Sequence, residues 1–178
     1  MAATATMTGS VFDELPYEEG RAWELFNGDL KPMSCLTLEH QEIIFRILLA
    51  QMNILAGSGK AATDVEFALA PNTRLRPDVW VVCSPRADEM DWTRVPVAGC
   101  PDLAIEVISP SESATQAMRK VELYLAHGVQ EVWQVFADTR QVMIHTNGER
   151  VEKLRVGDTL TTALLPGLQL DVCRVFEN

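Results

Sequence analysis

The run Leu103-Ala104-Ile105-Glu106-Val107-Ile108 constrains this chain more than any other segment. Its residues are apolar on both faces apart from one charge, the pattern of a strand at the centre of a sheet covered on both sides. Side chains alternate along a strand. Ala104, Glu106 and Ile108 therefore share one face, and Leu103, Ile105 and Val107 share the other. Glu106 is thus carried into the interior. A carboxylate left unpaired in a dry site is strongly unfavourable, so Glu106 has to be paired, protonated, hydrated or metal-bound.

The flanking sequence supplies helices and further strands. From Thr37 to Ala56 the positions Ile43, Ile44, Ile47, Leu48, Met52, Ile54 and Leu55 recur near helical spacing, with Thr37 placed to cap the start and Gly57 to end it. Before it, Asn27-Gly28 between two short apolar runs predicts a type I′ hairpin. After it, Asp64 to Leu69 alternates, Pro71-Asn72-Thr73 turns, and Leu75 to Cys83 forms a second, antiparallel strand. Ser111 is positioned to cap a helix over Ala114 to Ala126 that Gly128 closes, and a strand follows from Glu131 to Phe136. Gln141 to His145, Asn147-Gly148 and Glu149 to Leu154 read as another hairpin, with a short closing strand within Leu164 to Val175. The central order of helix, strand, strand, strand, helix, strand is that of an α/β fold: a mixed central sheet flanked by two helices, with extra hairpins at the N- and C-terminal ends.

The 178 residues fit one domain over 11–178, after a small, polar tail at 1–10 read as mobile. The longest apolar stretches fall short of the roughly 20 residues that cross a bilayer, and the first ten residues have no secretory n- or h-region, so a cytoplasmic protein without membrane association is expected. Cys35, Cys83, Cys100 and Cys173 lack zinc-site spacing, and three of the four sit among apolar neighbours where a reduced thiol packs as a small hydrophobe. With 15 basic and 25 acidic residues the net charge is −10, which repels nucleic acid at long range. A nucleic-acid partner then requires basic groups gathered at a cleft, or an oligomer or partner that makes the contacts.

Asp78 follows Pro77 directly and opens the run Val79 to Val82. If its strand pairs with that of Glu106 at the usual ~4.8 Å spacing, both acids come within reach of one metal ion. The competing reading is a turn-capping acid at Asp78 and a buried ion pair to a residue such as Arg76. Lys120, beside Arg119 and Glu122, has the setting of an exposed helical lysine. His40 shares a helix face with Ile44 and Ile47 and reads as a core or cleft-edge histidine, not a metal ligand. Tyr124, Trp80 and Trp133 read as packing residues.

Pro77-Asp78 followed by Glu106 in this element order resembles the PD-(D/E)XK, restriction-endonuclease-like superfamily. More of the chain, from residue 12 onward, resembles the Uma-two endonuclease family. The segments that carry the likeness are W-E-L-F-N-G-D-L (23–30), His40, R-P-D-V-W-V-V (76–82), P-D-L-A-I-E-V-I-S-P-S (101–111), K-V-E-L-Y (120–124), G-V-Q-E-V-W-Q-V (128–135) and L-P-G-L (165–168). The resemblance implies a restriction-endonuclease-like fold and hydrolysis of DNA phosphodiester bonds with Mg²⁺, or Mn²⁺, held by Asp78, Glu106 and the Val107 carbonyl. It implies Lys120 as the residue that orients water or stabilises charge, Glu24 as an outer ligand or water-binding acid, and a homodimer. Two departures stand out. Ile108 occupies the place of the superfamily lysine two residues past Glu106, a role that moves to Lys120. Gln116 occupies the place of an aspartate the family often has four residues before that lysine. Two other readings stay open: a non-catalytic binding or scaffold domain on the same fold, and a metal-dependent hydrolase of another phosphate ester.

Overall fold

The computed structural model describes residues 6–16, 18–19, 22–33, 37–147 and 150–177. The elements are α1 (Gly9–Phe12), β1 (Trp23–Phe26), β2 (Asp29–Pro32), α2 (Leu38–Leu55), β3 (Gly59–Thr63), β4 (Phe67–Ala70), β5 (Thr73–Leu75), β6 (Val79–Cys83), a 3₁₀ turn (Arg86–Glu89), β7 (Val97–Ala98), β8 (Leu103–Ile108), α3 (Ala114–Ala126), β9 (Glu131–Phe136), β10 (Gln141–Thr146), β11 (Val151–Arg155), β12 (Thr159–Leu160), β13 (Leu170–Asp171) and α4 (Val172–Val175).

Six strands form the main sheet in the order β11-β10-β9-β8-β6-β3. The strand carrying Glu106 lies inside it, as its two apolar faces require. β8 and β9 run parallel, with α3 as the crossover between them, and the other pairs are antiparallel. A smaller sheet, β2-β1-β5-β4-β7, packs beside it, and β12 pairs with β13. The faces divide as alternation dictates. Leu103, Ile105 and Val107 join Ile43, Ile44 and Ile47 of α2 in the largest apolar cluster, whereas Ala104 packs with Val121 and Tyr124 of α3 and with Phe26 and Leu75 of the small sheet. Glu106 lies on this second side, between helix and small sheet.

Local signals explain the element ends. Thr37 caps α2 by accepting the His40 N–H at 3.2 Å, and Ala56 ends the helix in the left-handed region. Asn27 and Gly28 both have positive φ, as a type I′ turn between β1 and β2 requires. Ser113, not Ser111, caps α3, accepting the Gln116 N–H at 3.2 Å. Gln134 of β9, register partner of Glu106, donates to the Ala117 carbonyl at 3.2 Å and so ties α3 to the sheet.

Two strand expectations are corrected. Leu75 to Cys83 is not one strand: β5 belongs to the small sheet and β6 to the main one, and the chain crosses between them over Arg76-Pro77-Asp78. Leu75 packs in one sheet and Val79 in the other, so a continuous apolar pattern hides the change. β3, which sequence reading passed over, pairs antiparallel with β6, and Gly59 lets it do so, because a Cβ there would meet the Val82 carbonyl oxygen at 2.7 Å. Of the expected tail, residues 1–5 lie outside the described residues; Thr8 caps α1, and the Gly9 N–H donates to the Pro71 carbonyl. Cys35 and the Gly148 half of the second Asn-Gly turn also lie outside them. Cys83, Cys100 and Cys173 are free thiols. Among the described residues no helix is long and apolar enough to cross a membrane.

Candidate active site

The crossing at Arg76-Pro77-Asp78 builds the site. The β6–β8 ladder ends at the pair Val79 and Ile105, and one further step of that register would set Asp78 opposite Glu106. Instead of continuing the ladder, Asp78 turns its carboxylate onto β8, where Oδ2 accepts the Val107 N–H at 2.7 Å. The two acids expected on neighbouring strands are therefore brought together, with Asp78 just before its strand begins. Its other oxygen, Oδ1, lies 3.2 Å from Nε2 of His40 in the first turn of α2. That nitrogen is buried without a well-aligned hydrogen bond, so the contact is one of proximity. His40 stands at the cleft edge.

Glu106 is 5% exposed, and both its oxygens are engaged from α3. Lys120 Nζ donates to Oε2 at 2.7 Å and Tyr124 Oη donates to Oε1 at 2.7 Å. Residues four apart lie on one helical face, which is why both reach the same carboxylate. Lys120, whose neighbours gave it the setting of an exposed lysine, is only 6% exposed. Its ammonium also lies 3.1 Å from Glu24 Oε1. The same Glu24 oxygen accepts the backbone N–H of Arg76 at 2.8 Å. The Arg76 guanidinium points elsewhere, 3.6 Å from Glu66 and 3.7 Å from Asp64, so it is not the partner of Asp78 or Glu106.

Burial pushes the Glu106 carboxyl up, to about 8; the Lys120 charge works against this, and the Asp78 and Glu24 carboxylates reinforce it. For Lys120, desolvation acts to lower the ammonium, but Glu106, Glu24 and Asp78 together outweigh it and raise it. Lys120 is accordingly a firmly protonated cation. Glu112, a residue sequence reading missed, lines the same cleft as Gln116, and burial raises its carboxyl as well. It stands in the loop before the α3 cap, where no periodic pattern marks it. Tyr124 combines two roles: its ring fills the core, as expected, and its hydroxyl holds Glu106.

The cleft has room for about 40 Å³, against a share of about 30 Å³ for one water in the liquid. A single ion or water fits inside. Four acids, Glu24, Asp78, Glu106 and Glu112, meet Lys120 and His40 here, so acidic groups outnumber basic ones. Among the described residues no three of His, Cys, Asp and Glu are arranged to hold a metal by themselves. Magnesium, though, is commonly held by one or two carboxylates with water completing the shell, and the hard oxygens of Asp78 and Glu106 in an acid-rich cleft fit that habit. A larger cavity of about 410 Å³, lined by Phe67, Arg86, Met90 and Arg94, offers less chemistry, since Arg86 is paired with Asp102 and Arg94 with Asp91.

Residues 10–173 match the Uma2 family, described as "Putative restriction endonuclease". The chain belongs to the Uma2 family. Among solved structures, "a putative nuclease belonging to DUF820" from Anabaena variabilis superposes with a TM-score of 0.79 at 20% identity, over 96% of this chain and 97% of that one. At that identity the likeness establishes the fold, which is restriction-endonuclease-like. A DrdV–DNA complex overlaps more loosely, with a TM-score of 0.42 at 18% identity over 75% of this chain and 11% of that one. No curated protein matches the chain. In this Uma2 protein, then, Glu24, Asp78, Glu106 and Lys120, drawn from β1, the crossing, β8 and α3, meet in one cleft.

Proposed function

We propose that this protein is a divalent-metal-dependent endonuclease that hydrolyses DNA phosphodiester bonds. One observation carries the reading: in a Uma2 chain, an acid-rich cleft of ion size contains a buried lysine bonded to two of its carboxylates. Asp78 and Glu106, with the Val107 carbonyl, would hold Mg²⁺ or Mn²⁺. Bound there, the ion supplies a water of lowered pKa and neutralises charge on the scissile phosphate.

The chain's own groups set the rest. Asp78 is fixed by the Val107 N–H, and Glu106 by Lys120 and Tyr124, so both acids are oriented before any substrate arrives. Lys120 remains an ammonium at neutral pH, which suits it to donate to the attacking water or to a phosphoryl oxygen and unsuits it as a general base. Glu24 holds Lys120 from the opposite side and fixes where its charge sits. The narrow cleft keeps the phosphodiester at its mouth. We read the enzyme as a cytoplasmic homodimer, since two sites serve the two strands of a duplex and a second subunit extends the surface available to DNA on a chain of net charge −10.

Plasmid DNA incubated with the protein and Mg²⁺ or Mn²⁺ is expected to be nicked, with activity lost in EDTA and in Glu106→Ala. Calorimetry without a divalent-metal heat in the wild type would sink the reading. The charge of −10 and Gln116 favour a second reading, a non-catalytic binding domain on the same fold; metal binding without cleavage of any nucleic acid tested is its signature.

A further inference from the structure

α2 carries two apolar stripes. One, with Ile43, Ile44, Ile47 and Leu55, faces the core. The other faces solvent: Leu38 is 86% exposed, Phe45 60%, Leu49 48% and Met52 55%. At about 100° per residue these four fall within about 60° of one another, on the side of the helix away from the core. The ten exposed large hydrophobics of the described residues include these four, and the other six are spread over the N-terminal turn, the 92–95 loop, α3 and the β11 hairpin. Scattered exposed apolar residues need no explanation; a row aligned along four of the five turns of one helix does.

The row has a definite period. Positions 38, 42, 45, 49 and 52 alternate steps of four and three, the a/d seam of a coiled coil, and only Glu42 breaks its apolar character. Glu42 is ion-paired with Arg46 at 3.1 Å on the same helix, so the charge reaches the seam already partnered. We infer that this face of α2 is the surface on which a second copy of the chain docks, the two α2 helices packing antiparallel about a two-fold axis. This inference rests on the homodimer part of the proposed function and names its interface.

Three features select a second copy. A heptad seam is complementary to another heptad seam, and under an antiparallel two-fold Phe45 of each copy meets Leu49 of its partner and the reverse, so the one helix supplies both halves. Antiparallel packing sets the electropositive start of each helix, with Glu39 and Glu42 on it, beside the electronegative end of the other, which carries no acid. Complete burial of these four side chains on both copies would hide at most on the order of 1,000 Å², the lower bound for a specific interface. Such a dimer depends on concentration.

Sedimentation of the full chain across a concentration series tests this. The wild type is expected to pass from 19.8 kDa to twice that mass within the micromolar range. Phe45→Glu is expected to weaken association at least ~30-fold while leaving the circular dichroism spectrum unchanged, and the melting temperature unchanged at concentrations where the wild type is monomeric, because the side chain is already exposed. Leu49→Lys gives a second variant should the first fold poorly. A wild type that stays monomeric at about 100 µM overturns both the dimer and its interface, whatever the outcome of the cleavage assay. A dimer that survives both substitutions overturns the interface alone.

Discussion

The two ends of β8 each carry a buried carboxylate, and the two are handled differently. Asp102, at the entry to the strand, is 4% exposed; it accepts the Cys83 N–H at 2.8 Å, Gln130 Nε2 at 2.8 Å and Arg86 Nη1 at 3.1 Å. Donors surround it and no other acid is among its partners, so it works as a splice between β6, the 3₁₀ turn and the start of β9. Glu106, near the exit, has comparable burial and two strong donors, yet Asp78, Glu24 and Glu112 share its cleft. Burial therefore does not separate a structural acid from a candidate catalytic one. What separates them is whether the donors balance the local negative charge or leave an excess for something that arrives later.

Exchanging the effects of substitution at the two ends gives the sharpest test. Glu106→Ala is expected to lower metal-dependent cleavage at least ~100-fold with the fold retained. Asp102→Ala is expected to cost about 2 kcal/mol of stability, because the Cys83 N–H and Gln130 amide lose their acceptor, while activity per folded molecule stays near wild type. Denaturation curves and cleavage rates on both variants check the pair; a stable, inactive Asp102→Ala would erase the distinction.

A smaller effect lies in pH. Because the folded-state pKa of Glu106 is raised from 4.5 to about 8, its contribution to stability is fully present below about 4.5 and is lost as pH rises through about 8. Melting temperature of the metal-free protein is expected to fall across that window, and Glu106→Gln to flatten the fall. Added Mg²⁺ should restore stability most at the alkaline end, where the ionised carboxylate is available to a cation. The smallest effect is expected from Tyr124→Phe, which removes one donor to Glu106 and leaves the ring in place. Cleavage should drop about 10-fold with little change in melting temperature. A variant as active as the wild type would show that Lys120 alone is enough to hold Glu106.

Much of this was legible in the residues, and what was hidden has physical causes. β8, its two faces, α2 with its Thr37 cap and the Asn27-Gly28 turn follow from periodicity and local stereochemistry, which act within a few residues. The crossing at Arg76-Pro77-Asp78 was masked because an apolar pattern records burial, not the sheet in which a residue is buried. β3, with Gly59, Lys60 and two alanines, has little strand propensity of its own and is held by pairing with β6. The burial of Lys120 was masked by Arg119 and Glu122, which stand on other sides of α3; the carboxylates that draw it inward come from β1 and β8. Glu112 sits in an aperiodic loop, where spacing carries no information.

A single atom, Glu24 Oε1, takes both the amide of Arg76 and the ammonium of Lys120. The first contact lies where the backbone passes between sheets and the second lies on the crossover helix, so one oxygen joins the routing of the chain to the balance of charge. Sliding β1 against α3 would stretch the contact to Lys120. The cleft is in this sense an assembly check: the Lys120 ammonium meets both Glu106 and Glu24 only when the small sheet is docked in register against the main one.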